Sequence, residues 1–312
     1  MAAYHVLLKP GVKSHRHVVP RRLTECDVRG ENVVGEGCHE GASEGIELCI
    51  RSVIPSLFPF FVMSIMLTSI FMGVSMPVLR PLGKLCGISA GAETIFLTGF
   101  LGGYPTGAQC VNQAYRAGQL KHDTARRLLG FCSNAGPAFL FGMVAMRFTK
   151  IRYAWVLWLI QILSAVLVGM LLPGKDRSNT SLVPAQPVTL QQALRRSVVI
   201  MAEVCGWIIL CRMLVAFCSR WFLWALDDWA QVLLIGVLEL ANGCFQLGRI
   251  ADEGLRFVIC SIILSLGGIC VLLQTKSVTK DVGLGKYIPG KLLQACISGI
   301  MSAVFWQILQ KI

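Results

Sequence analysis

The sequence predicts an all-α polytopic membrane protein of two homologous halves, inverted relative to one another and containing broken or re-entrant helices. Three observations predict it. Of 312 residues, 54% are hydrophobic and only 15% charged, with a mean hydropathy of +0.64, whereas a soluble chain carries about 25% charged residues. Apolar runs recur eight times, at about 46–76, 92–110, 128–146, 153–172, 197–218, 230–248, 255–274 and 288–309, several of them near the ~20 residues that cross ~30 Å of hydrocarbon. The runs also echo one another four by four, with interruptions at matching places.

The composition excludes several function classes. Residues 1–45 hold six basic and six acidic groups, so the net charge of +12 belongs entirely to the apolar part. There Lys and Arg sit between apolar runs, where they anchor helix ends and set topology, which argues against nucleic acid as a partner. Eleven of the 13 cysteines, from Cys49 onward, lie in or beside apolar segments without CxxC spacing, and read as small buried hydrophobes. No histidine falls in an apolar segment: His5, His15, His17 and His39 precede them and His122 lies in a basic loop. With no HExxH, GxSxG or Walker pattern and only short loops, the chain is expected to be neither an enzyme nor a cofactor or metal binder.

Residues 1–43 are polar and lack apolar periodicity, and are expected to be a disordered arm or to precede the true start. The first membrane repeat is expected over 44–175, a linker over 176–194 and the second repeat over 195–312. Internal likeness supports the division: IRSVIPSLFPFF from Ile50 against RRSVVIMAEVCG from Arg195, LTGFLGGYPTG from Leu97 against LIGVLELANGC from Leu234, and Gly136 against Gly268. The offsets fall steadily from 145 to 137 to 132 residues, as shorter loops in a duplicated second half would give. Pro55 and Pro59 bend or shorten the first span, and Trp155, Trp158, Trp221, Trp224, Trp229 and Trp306 lie near segment ends as an interfacial belt would.

Segments two and three cannot be uninterrupted lipid-facing helices. The run Gly99–Gly107 carries Gly102, Gly103 and Pro105, and Ser133–Pro137 reads SNAGP. Each break frees backbone groups that hydrocarbon cannot satisfy. Basic residues flank segment three on both sides, Arg116, Lys121, Arg126 and Arg127 before it and Arg147, Lys150 and Arg152 after it. A hairpin turning at SNAGP would return both clusters to one face, and three crossings per half would then invert the halves.

The candidate site follows from the breaks. Gly99, Gly103 and Gly107 have the spacing of close helix packing. Tyr104, Pro105, Thr106 and Gln109 beside them add an aromatic ring, a break and hydrogen-bonding groups. Ser133, Asn134 and Gly136 open a half-helix at Pro137, whose free amides attract anionic or carbonyl groups, although Asn134 there also suits a simple cap. Glu239 and Glu203 are carboxylates deep in apolar segments, a costly position and therefore a functional one by default. Glu203 has Arg212 as a nearby alternative partner. Glu239, with Asn242 and Gly243, falls opposite the first break, and Gly267 and Gly268 opposite the second. The four interruptions are expected to converge on one polar cavity.

At these motifs the sequence resembles the YlbJ-type sporulation integral membrane proteins, which carry the nucleoside-recognition Gate domain also found in concentrative nucleoside transporters and the FeoB iron transporter. The matching stretches are PSLFPF at Pro55–Phe60, GGYPTGA at Gly102–Ala108, FCSNAGPAFLFG at Phe131–Gly142 and ELANG at Glu239–Gly243. Ala241 stands where the family has Thr. The resemblance spans about 44–310 and implies a multi-pass protein of a bacterial cell membrane acting in endospore formation. Two functions stay open: a transporter-like protein taking a small polar solute, with a coupling ion, at the bilayer midplane, or a non-transporting structural or assembly protein of the spore envelope.

Overall fold

The computed structural model describes residues 30–71, 76–88, 92–172, 174, 187–221 and 223–310, and every regular element among them is helical. Five helices are long and apolar enough to cross a membrane: Gly37–Phe71, Ile151–Leu171, Leu190–Cys218, Glu253–Val278 and Tyr287–Leu309. Glu93–Gly102, Pro137–Arg147 and Asp228–Leu238 are apolar but shorter. At 1.5 Å per residue, such ten- or eleven-residue pieces rise only ~15–17 Å, about half the hydrocarbon thickness.

The N-terminal expectation is corrected. Helix α1 (Gly30–Leu48) passes through a π-helical turn (Cys49–Val53) into α2 (Ile54–Phe71), so residues 30–43 are part of a helix and not of an arm. Two glycines make this possible, because a Cβ at Gly41 would stand 2.8 Å from the Met213 Cα and one at Gly45 2.9 Å from the Ile209 Cα. The partner is α9 (Leu190–Trp221), whose Arg212 pairs with Glu44 at 2.8 Å and so is not Glu203's counter-ion. Glu203 itself is exposed on α9. Residues 1–29 lie outside the described residues, and α9 begins inside the expected linker.

After the short α3 (Arg80–Leu85), α4 (Glu93–Gly102) runs inward, the chain turns at Gly103–Pro105, and α5 (Thr106–Arg116) packs back along α4. A Cβ on Gly99 or on Gly107 would overlap the Cys132 carbonyl; the two glycines hold that peptide between the helices. In the second half α10 (Asp228–Leu238) turns at Glu239 into α11 (Leu240–Gln246), and Gly243 abuts Gly236 across the turn. At its open end Arg249 reaches Asp228 at 2.6 Å. The open end of α4–α5 instead meets the region after α13 (Gly268–Val278), where Arg116 pairs with Asp281 at 2.8 Å.

The turn expected at SNAGP is therefore at Gly103–Pro105, and segment three runs on past its break. α6 (His122–Leu128) leads to an irregular stretch through Ser133–Gly136, then to α7 (Pro137–Phe139), which continues as π and 3₁₀ turns to Arg147. Before the break, Arg127 donates from Nε to the carbonyl of Leu172, the C-cap of α8 (Ile151–Leu171). After it, Lys150 is the N-cap of the same helix. Since 21 residues of helix span ~31 Å, the two basic clusters lie at opposite ends of α8. Helix α12 (Glu253–Leu266) is likewise interrupted, at Gly267, before α13.

The last helix, α14 (Tyr287–Leu309), packs against α12 and α8. Its buried face carries Lys291, Gln294, Ser298 and Ser302, spaced 3, 4 and 4 residues apart so that one stripe turns inward. Lipid gives helices no hydrophobic reason to associate, so small residues and interhelical hydrogen bonds do the work. Gly99→Ala is accordingly expected to destabilise the folded protein by about 3 kcal/mol or more through overpacking, seen as a lower melting temperature in detergent. Gly206→Ala, at a site with nothing within 4 Å, should leave it unchanged; equal melting of the two variants would refute the clamp.

Candidate functional site

The interruptions are built from residues that let one backbone touch another. Gly103 has φ +72°, and a Cβ there would sit 3.0 Å from the Gly136 amide nitrogen. Gly267 and Gly268 have φ +74° and +81°, conformations that other residues rarely take. A Cβ on Gly268 would stand 2.9 Å from the Gly236 carbonyl oxygen, and one on Gly267 3.1 Å from Cζ of Tyr104. The first break thus packs on the second and the third on the fourth, in each half separately.

Tyr104 joins the halves. Its hydroxyl donates to the carbonyls of Leu264 at 3.1 Å and Ser265 at 3.4 Å, across 160 residues of sequence. Those carbonyls belong to the last turn of α12, which the break at Gly267 deprives of helical partners. Tyr104 is buried, so its ring fills the space between the halves while its hydroxyl meets part of the backbone's need.

Glu239 sits at the turn between α10 and α11, 5% exposed. Its Oε1 accepts from the Ala241 amide at 2.9 Å and its Oε2 from the Asn242 amide at 2.6 Å, an N-terminal cap on α11. A carboxylate suits that place because free amides and the positive end of the helix dipole both face it. No ion pair joins it among the described residues. Asn242 donates through Nδ2 to the Ile208 carbonyl at 3.3 Å, and its buried Oδ1 has no partner among the described residues.

A cavity of about 60 Å³ lies where the breaks meet, bounded by Gly103, Tyr104, Gly136, Glu239 and Gln274 and by apolar side chains including Leu57, Phe61 and Phe139. That volume holds a few water molecules, since one needs about 10–15 Å³ by this measure. Of the expected residues, Gly103, Tyr104, Gly136 and Glu239 line it, and the lining is more apolar than the sequence suggests. Thr106 and Gln109 face a separate, larger cleft on the far side of the first break, with Pro105 as the N-cap of α5 between them. Gly243 is taken up by Gly236, while Gly267 and Gly268 stand behind Tyr104 and Gly236.

Ser133 and Asn134 are fully buried; the Ser133 hydroxyl has no hydrogen-bond partner among the described residues, whereas Asn134 belongs to a polar network that sequence reasoning misses. Asn134 is no cap: it donates to the Phe131 carbonyl at 2.8 Å and accepts on Oδ1 from Lys291 Nζ at 3.0 Å and Gln294 Nε2 at 2.9 Å. Lys291 also donates to Gln294 Oε1 at 2.8 Å and lies 5.1 Å from the centre of the Tyr104 ring. Gln161 donates to Ser265 Oγ at 2.9 Å, and Ser265 to Ser298 Oγ at 2.7 Å, which ties α8, α12 and α14 together. The ammonium of Lys291 meets carbonyl oxygens and an aromatic face but no carboxylate among the described residues. The polar stripe of α14 was the available signal, readable only as periodicity within an apolar run.

Comparisons with protein-family models, with curated proteins and with solved structures find no match for this chain. The geometry alone assigns the class: among the described residues the protein is all-helical, with five helices fit to cross a membrane and a small internal cavity at the helix breaks. Asn134→Ala is expected to lower folded stability by about 3 kcal/mol, because it leaves a buried ammonium short of an acceptor. Adding Lys291→Met should recover at least about 1 kcal/mol of that loss; strictly additive melting shifts would contradict the pairing.

Proposed function

We propose that this chain is a transporter-like membrane protein whose two halves form an inverted repeat and that it binds a small polar solute where its helix breaks meet. The observation that carries the reading is that three of the breaks line one cavity, with the Glu239 carboxylate on its wall, while Tyr104 ties that cavity to the fourth break at the end of α12. Proteins that interrupt spanning helices at matching points in two halves use those points as binding sites. In support of inversion, the open end of α4–α5 lies by Asp281 and that of α10–α11 by Asp228. These are opposite ends of the bundle, because α12 and α13 together run from the Thr149–Glu253 contact to Asp281. Glu239 accepts from the first amides of α11 and faces the cavity; a coupling cation or a solute donor would share that carboxylate. The likeness to the YlbJ-type Gate proteins supports a role in endospore formation and a bacterial cell membrane as the site of action.

The second reading, a non-transporting structural or assembly protein of the spore envelope, draws support from the size of the cavity. About 60 Å³ admits water but no solute the size of a nucleoside. On the transport reading this is an occluded arrangement that must open toward one face. Uptake of labelled polar solutes into proteoliposomes separates the two: transport predicts accumulation that falls at least about tenfold in Glu239→Gln with protein level unchanged, and the structural reading predicts none. The inversion is checked independently in a cysteine-depleted background, where Ala117→Cys and Gly248→Cys, both exposed, should label from opposite sides of the membrane. Labelling from one side sinks it.

A further inference from the structure

A second cleft, of about 730 Å³, lies between α2, α5 and the N-terminal turns of α9. Among the described residues its charge is one-sided: Arg116, Arg195 and Arg196 line it, and no acidic side chain does. Arg116 is held by Asp281, but Arg195 and Arg196 are exposed and in no ion pair among the described residues. Both lie in the second turn of α9, beyond the first-turn reach of the helix dipole, so helix stability does not explain them.

The cleft follows α5 inward. From Arg116 to Thr106, both in its lining, ten residues of helix descend ~15 Å, passing Gln113 and Gln109. At the floor the Thr106 amide donates to the Gly103 carbonyl at 2.9 Å, and Gly103 lines the small cavity on the other side of the break. A second observation concerns Asn112, 6% exposed and also in the wall. Its Nδ2 donates to Asp281 at 3.0 Å, while its buried Oδ1 has no partner among the described residues. A buried acceptor left open in a cleft wall is a place where an ordered water or a ligand donor can complete the hydrogen bonding.

We infer that this cleft binds a small organic anion, with a phosphate or carboxylate group held by Arg195 and Arg196 and a hydroxyl or amino donor on Asn112 Oδ1. The planar guanidinium fork suits oxyanions, and an uncompensated positive cleft with low-dielectric walls concentrates them. The inference deepens the solute-binding reading by naming a charge class and an entry route, and rests on that reading for any onward passage. The same phosphate chemistry comes from a dissolved metabolite or from a phospholipid headgroup.

The probe is radiolabelled glycerol 3-phosphate, which carries both a phosphate and hydroxyl donors, bound to the purified full chain in neutral detergent at constant ionic strength. Saturable binding is expected, displaced by inorganic phosphate, weakened at least about tenfold in the Arg195→Gln, Arg196→Gln double variant and unchanged in Lys150→Gln at the far end of α8. An unaltered melting temperature shows the double variant to be folded, and an Arg195→Lys, Arg196→Lys version should recover part of the affinity. Repeating the measurement in phosphatidylglycerol nanodiscs identifies the source: binding that persists marks a dissolved solute, and binding that the lipid abolishes marks a headgroup, each consistent with an anion site. Absence of saturable binding, or equal binding by the folded double Gln variant, overturns the inference. Proteoliposome uptake is read separately, so failure of transport and failure of this site are distinguishable.

Discussion

A peptide group without a hydrogen-bond partner in hydrocarbon costs several kcal/mol, and this chain interrupts its apolar helices at four places. Its solution is to bring interrupted backbone against interrupted backbone until each freed group finds a partner or is shielded from lipid. The close approach of Gly99 and Gly107 to the Cys132 peptide, of Gly103 to Gly136, of Gly243 to Gly236 and of Gly268 to the Gly236 carbonyl are instances of that one device. A side chain at any of these positions would force the breaks apart. The chain must then either straighten into helices, which Pro105 and Pro137 oppose, or bring water into the membrane.

Polar side chains complete what glycine contact leaves undone. Tyr104 reaches the end of α12, Glu239 caps α11, and Asn134, Gln161, Lys291 and Gln294 join the core of the bundle through hydrogen bonds in place of apolar packing. Each of these groups is committed to a partner within the fold. Among the described residues Lys291, Arg195 and Arg196 have no carboxylate partner, in keeping with the net charge of +12.

The class of fold and the positions of the interruptions were legible in the sequence because both are written in local terms. Hydrocarbon selects for length and apolarity, so spans appear as runs, and Gly–Gly, Gly–Pro or a lone carboxylate within a run marks a break. Glu239, Tyr104, Gly103 and Gly136 were recoverable for that reason. Lys291 was not, because a lysine one turn into a span reads as an interfacial anchor unless its direction is known. The N-terminal helix was missed for a related reason: Gly41 and Gly45 look like breakers in a polar stretch, and only the apposed surface of α9 turns them into contacts.

What the sequence by itself determined is therefore an all-helical, membrane-suited chain, the location of its breaks and the residue types placed at them. Only the tertiary structure decided at which break the chain folds back and at which it continues. SNAGP and GGYPTG carry similar local instructions, both weakening a helix at its middle. The choice between folding back and continuing depends on which neighbouring backbone is close enough to receive the freed groups. For α4 and α5 it is each other, with the Cys132 peptide between them; for the stretch after Gly136 it is α2, α8 and α11. That selection is made by packing between residues far apart in the chain, which no local pattern encodes.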